Sequence, residues 1–94
     1  RALCFARKDA TELPGFEEDD WAAATEGSPR SLRAIMTDHD AVRQASITLF
    51  HGFTAEELHR TGIANGNRFS VRALGWAIAG HAMHHVHILN ERYL

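Results

Sequence analysis

The amino-acid sequence predicts an all-α protein. Apolar residues recur at i, i+3 and i+4 over long stretches, the spacing that places them on one face of a helix. Residues that commonly cap helices precede these stretches at Ser28, Thr54 and Ser70. Four of the seven histidines lie within residues 81–87, between two helix-forming segments. The histidines are therefore expected on a rigid helix.

The N-terminal part of the chain predicts short helical pieces joined by a loop. Residues 1–8 are expected to form the end of a helix. Pro14-Gly15 indicates a turn, and the acidic run after it is typical of a helix N-terminus or a solvated loop. A short helix is expected to begin at Asp19 or Asp20 and to end at Gly27.

The central part of the chain predicts one long helix. Ser28-Pro29 is a favourable start, with serine as the N-cap and proline at the first helical position, and Gly52 is expected to close the helix after His51. His39 lies in the middle of the apolar stripe of this helix. The stripe consists of Leu32, Ile35, Met36, Val42, Leu49 and Phe50.

A second start signal follows this helix. Thr54 and Glu57 form the pattern of a capping box, which predicts a short helix to about Arg60. Residues 62–67 are expected to be a connector with a little extended structure, in which Asn65-Gly66 suits positive φ angles.

The last helix is predicted over residues 71–92, with Ser70 as its cap. A second face of this helix carries Trp76, Met83 and His87, so burial on both sides or in a dimer interface is expected. Its main stripe consists of Leu74, Ile78, His81, His85 and Ile88.

Composition limits the function classes. The 94 residues suffice for one small domain, expected over 1–94. The net charge of −2 and the absence of a basic cluster argue against nucleic acid as a partner. The sequence has no apolar run of about 18 residues, the length that would predict a membrane span. Cys4 is the single cysteine, which excludes an intrachain disulfide and fits a cytoplasmic location.

The spacing of His81 and His85 predicts a metal site. Residues four apart on a helix lie on one face, one turn from each other, so both imidazoles can bind a single divalent ion. Two ligands alone bind weakly, and a catalytic site normally has a third protein ligand and an open position. The alternative is that both rings are partly buried and hydrogen-bonded to protein groups. No glutamate follows His81, which argues against a zinc peptidase.

Two further histidines are candidates for a supporting role. His39 could supply the third ligand, because its stripe is expected to face the core. His84 could supply a ligand or hold one in place by a hydrogen bond, although it is rotated off the face of the main pair.

The chain resembles the DinB-like superfamily. The resemblance covers nearly the whole chain, as the C-terminal 60% or so of such a domain. It is carried by residues 1–9 (RALCFARKD), 65–67 (NGN) with 70–74 (SVRAL), and above all 80–85 (GHAMHH) and 89–94 (LNERYL). It implies a four-helix bundle in up-down-down-up order, here truncated at the N-terminus to about three helical segments. The first helix and most of the second are then missing from the chain.

The resemblance also implies a function. Members of the superfamily typically hold zinc or nickel with three histidines, two of them from a last-helix H-x-x-x-H that matches His81 and His85. The third comes from the second helix, before Arg1, and this sequence does not contain it. Characterised members include S-transferases that use bacillithiol or mycothiol and a mycothiol-dependent maleylpyruvate isomerase, and many members form homodimers. A low-molecular-weight thiol and a small electrophile are therefore the expected partners.

Three hypotheses follow from the sequence. The first is a truncated DinB-like bundle whose full form performs metal-dependent thiol transfer or hydrolysis. The second is a non-catalytic helical dimerisation or interaction module, in which the histidines are structural. The third is a metal site completed between two chains, with His39 or a partner histidine as a ligand.

Overall fold

The computed structural model describes residues 1–25 and 30–94, and these residues are mostly helical. The all-α prediction is therefore confirmed, with one small hairpin added to it. The elements are α1 (Ala2–Ala6), α2 (Glu18–Ala23), α3 (Leu32–His51), α4 (Ala55–His59), β1 (Thr61–Ala64), β2 (Asn67–Ser70) and α5 (Val71–Arg92).

The long helix α3 begins later than predicted. The preceding helix, predicted from Asp19 or Asp20 to Gly27, spans Glu18–Ala23 and therefore ends earlier than predicted. Gly27 itself and the predicted start of α3 at Ser28-Pro29 lie outside the described residues. The N-cap of α3 is Ser31, whose side chain accepts a hydrogen bond of 3.2 Å from the Ala34 amide. Ser28 and Ser31 both suit the cap by residue type, so the sequence pattern alone does not choose between them. Gly52 ends the helix as predicted.

The segment after α3 contains the predicted capping box and the predicted positive-φ turn. Thr54 and Glu57 form a reciprocal capping box at the start of α4, with both hydrogen bonds at 3.1 Å. The predicted connector is a tight antiparallel hairpin, in which Ala64 pairs with Asn67. Asn65 and Gly66 form its two-residue turn with φ angles of 51° and 75°, the backbone conformation that twisted hairpins favour.

The fully buried core is small and lies at one end of the molecule. Phe5, Ala6, Ala64 and Val71 have no solvent exposure, and they join α1, the hairpin and the first residue of α5. The Arg60 guanidinium adds a polar link by donating a 2.6 Å hydrogen bond to the Ala6 carbonyl oxygen. This core fixes the position of α1 beside the N-terminal part of α5.

The described residues leave the apolar faces of the long helices largely uncovered. Trp76 and Met83, on the second face of α5, are 71% and 73% exposed. The expected burial of this face therefore does not arise from the described part of the chain. On the main stripe Leu74 and Ile88 are half-buried, whereas Ile78 is 38% exposed. Period-3.6 patterns identify an apolar face, but they do not show what packs against it.

Candidate metal centre

Helix α5 places His81 and His85 side by side. The helix runs without a break from Val71 to Arg92, and the Ser70 hydroxyl caps it by accepting a 3.0 Å hydrogen bond from the Ala73 amide. The two imidazole rings have centroids 4.5 Å apart and planes inclined by 69°. Their Nε2 atoms are 3.0 Å apart, so the predicted convergence of the pair is observed.

The pair lines a groove of about 1110 Å³ formed by α1, α3 and α5. Most of the wall is apolar, with Leu74 and Leu89 on α5 and Met36 on α3 among its residues. Both histidines are exposed in the described part of the chain, so the pair does not face a closed core there. The rings lie in an open apolar groove, where a small molecule could reach them.

The geometry of the pair fits a divalent metal ion. Two nitrogens about 2.0–2.1 Å from a zinc ion are about 3.3 Å apart at a tetrahedral angle and about 2.9 Å apart at a right angle. The observed separation of 3.0 Å between the Nε2 atoms lies within this range. It is equally the length of a hydrogen bond in which one protonated Nε2 donates to the other. Both the metal hypothesis and the structural alternative are thus compatible with the distance.

His39 shares the groove with the pair but does not complete a three-ligand site. It lies on α3, on the opposite wall, and its Nδ1 is 3.5 Å from Oδ1 of Asp40. Within residues 1–25 and 30–94, no three histidine, cysteine, aspartate or glutamate side chains are grouped so that they could hold a metal ion. The role of His39 as a third ligand therefore stays a prediction.

The other two histidines of residues 81–87 lie away from the groove. The ring centroid of His84 is 5.6 Å from that of His85, edge to face, and His84 is not among the groove-lining residues. His87 Nε2 is 3.1 Å from Oε1 of Glu91, one turn further along α5. His84 is placed to steady the His85 ring by packing, and His87 belongs to the solvated face.

Sequence reasoning missed the basic groups of the groove. Arg43 on α3 and Arg1 at the start of α1 both line it. The available signal was the spacing of Arg43, which lies four residues after His39 and therefore on the same helix face. Arginine at such a position is easily read as the solvated edge of an apolar stripe, because its long stem covers apolar surface.

The part of the chain that the structure describes contains no helix long and apolar enough to cross a membrane.

Comparison with known proteins gives one match. The family model described as the DinB superfamily matches residues 2–89, and it includes the histidine pair. No curated protein and no solved structure matches the chain. A match over this share of the residues means that the chain belongs to the DinB superfamily.

Proposed function

We propose that this protein binds a divalent metal ion, zinc or nickel, through Nε2 of His81 and His85, and that it acts as a metal-dependent thiol transferase or hydrolase. The observation that carries the proposal is the 3.0 Å separation of the two Nε2 atoms within an apolar groove. When bound, such an ion lowers the pKa of a thiol or a water molecule and so supplies a nucleophile near neutral pH.

The chain contributes position and environment to this chemistry. Helix α5 fixes the two rings relative to each other, because residues one turn apart on an unbroken helix have little freedom to separate. The apolar walls reduce the water around a molecule seated in the groove, which strengthens electrostatic interactions there.

A third ligand is part of the proposal, because the resemblance to the superfamily implies three histidine ligands, two of which match His81 and His85. Arg1, Ala2 and Leu3 of α1 line the same groove as the pair, so α1 borders the space in which a third ligand would bind.

Metal stoichiometry tests the proposal. The protein is dialysed to equilibrium against zinc and analysed for bound metal, in parallel with His81→Ala, His85→Ala and the control His87→Ala. We expect equal zinc content in the wild type and in the control, and a lower content in each of the other two variants, because each of these has lost one ligand. Equal zinc content in all four proteins would remove the site.

A second candidate function rests on the exposed face of α5. Trp76 and Met83 lie seven residues apart on one face of α5, and their side chains are 71% and 73% exposed. We propose that this face forms a homodimer. If the metal test is negative, dimerisation is the proposed function of the protein. Sedimentation equilibrium of wild type and Trp76→Glu decides this point. A wild-type dimer that the substitution dissociates supports the proposal, and a wild-type monomer excludes it.

A further inference from the structure

The polar groups that line the histidine groove are all cationic or neutral. They are Arg1, His39, Arg43, Ser46, His81 and His85. No aspartate or glutamate of the described ranges, 1–25 and 30–94, lines this groove. A groove with apolar walls and basic groups is complementary to a molecule that has an apolar body and a negative charge.

Arg43 is a basic group of the groove that has neither an ion pair nor a side-chain hydrogen bond among the described residues. It is half-buried. The acids nearest to it in sequence are Asp38, which pairs with Arg30, and Asp40, which lies beside His39. Arg1, in contrast, donates a hydrogen bond of 3.2 Å to the Pro14 carbonyl oxygen.

Arg43 lies close to the turn that precedes the histidine pair. It lines the groove together with Ile78, and the same two residues also line two smaller cavities beside the groove. Ile78 is three residues before His81, about one turn along α5. Arg43 is therefore about one helical turn from the level of the pair.

We propose that the groove binds a small carboxylate with an apolar body, and that Arg43 is the residue that recognises the carboxylate. The anion site itself needs no metal. Only the statement that this carboxylate is the substrate rests on the proposed function. A neutral ligand of the same shape would desolvate the guanidinium without a partner, which is unfavourable. A carboxylate compensates by accepting two parallel hydrogen bonds from the guanidinium. The Ser46 hydroxyl, one turn away on α3, is a further donor.

The α5 wall and the α3 wall of the groove have different roles. The α5 wall holds the reacting end of the substrate beside His81 and His85, and Arg43 on the α3 wall fixes the charged end. Arg43 is thus a specificity-determining residue. Its loss should change which molecules bind and leave the metal content unchanged.

Calorimetric titration of the metal-free protein tests the inference with two probes of equal shape, 4-phenylbutyrate and 4-phenylbutanamide. The chelator-treated protein is used so that the carboxylate cannot bind through a metal ion. We expect the wild type to bind the carboxylate about tenfold more tightly than the amide. Arg43→Gln should lose this preference, and Arg43→Lys should keep part of it because the charge remains without the planar fork.

Arg33→Gln is the matched control, because Arg33 is an exposed arginine of α3 outside the groove-lining set. It should keep the wild-type preference. Equal binding of the two probes, no binding of either, or an unchanged preference in Arg43→Gln would overturn the inference. Zinc content measured on the same samples separates it from the proposed function. Zinc binding without anion preference refutes only the inference, and anion preference without zinc binding refutes only the metal site.

Discussion

The ring of Phe5 in α1 packs against Gly62 in β1, so closely that a Cβ at residue 62 would collide with the ring. This contact joins two elements of the buried core. We expect Gly62→Ala to destabilise the protein by about 1–3 kcal/mol, because the extra methyl group overpacks a site that cannot expand. Urea unfolding monitored by circular dichroism measures the change. A stability equal to that of the wild type would mean that the Phe5 ring moves aside freely.

Gly80 is the matched control for this substitution. It lies inside α5, and a Cβ there would have no neighbouring atom within 4 Å. Gly80→Ala should stabilise the protein by about 0.5–1 kcal/mol, because alanine loses less backbone freedom than glycine when a helix forms. The two variants therefore make the same chemical change with opposite expected signs.

Lys8 is strained at the end of α1. Its φ angle is 59°, and the surrounding hydrogen bonds, from Lys8 N to Phe5 O and from Asp9 N to Cys4 O, form a Schellman motif. Glycine is the residue favoured at this position, since a side chain disfavours the left-handed conformation.

We expect Lys8→Gly to raise the free energy of unfolding by up to about 1 kcal/mol. Lys8→Ala removes the charge but keeps the Cβ, and it should give no such gain. Thermal unfolding of the three proteins in parallel checks this. If alanine and glycine stabilise equally, the effect comes from the charge and not from the backbone.

The capping box of α4 should make stability depend on pH. The hydrogen bond from the Thr54 backbone amide, together with that of the Thr54 side chain, lowers the pKa of Glu57 from its usual value of 4.5. A carboxyl group with a lowered pKa in the folded state stabilises the fold above its unfolded pKa. This contribution is lost as the pH falls from about 4.5 through the lower folded value.

Glu57→Gln keeps an oxygen that can accept the Thr54 amide hydrogen bond, but it does not titrate in this range. We expect the difference in unfolding midpoint between wild type and Glu57→Gln to shrink as the pH decreases from 6 to 3. A difference that stays constant with pH would show that ionised Glu57 adds nothing to the box.

The sequence predicts the local signals of this fold better than its packing. The cap of α5 at Ser70, the capping box at Thr54 and the positive φ angles at Asn65-Gly66 all follow from side-chain chemistry within a few residues, and all are present. The start of α3 at Ser31 does not follow from the sequence pattern, because Ser28 and Ser31 both suit the cap by residue type.

Packing depends on contacts between residues far apart in the chain. A helical pattern carries no information on such contacts. The helical pattern groups His81 and His85 on one face of α5, but it does not show that this face borders an open groove. For the same reason it did not reveal Arg43, since α3 and α5 bring this residue and Ile78 to the same groove from distant parts of the chain.

The histidine ring nitrogens provide the most direct test of the metal site. Long-range proton–nitrogen NMR spectra are recorded while zinc is added to the protein. We predict that the Nε2 signals of His81 and His85 shift together along one binding curve as zinc is added, while those of His84 and His87 stay in place. Unchanged Nε2 signals of His81 and His85, with one ring still donating its proton to the other in the presence of zinc, would contradict the account.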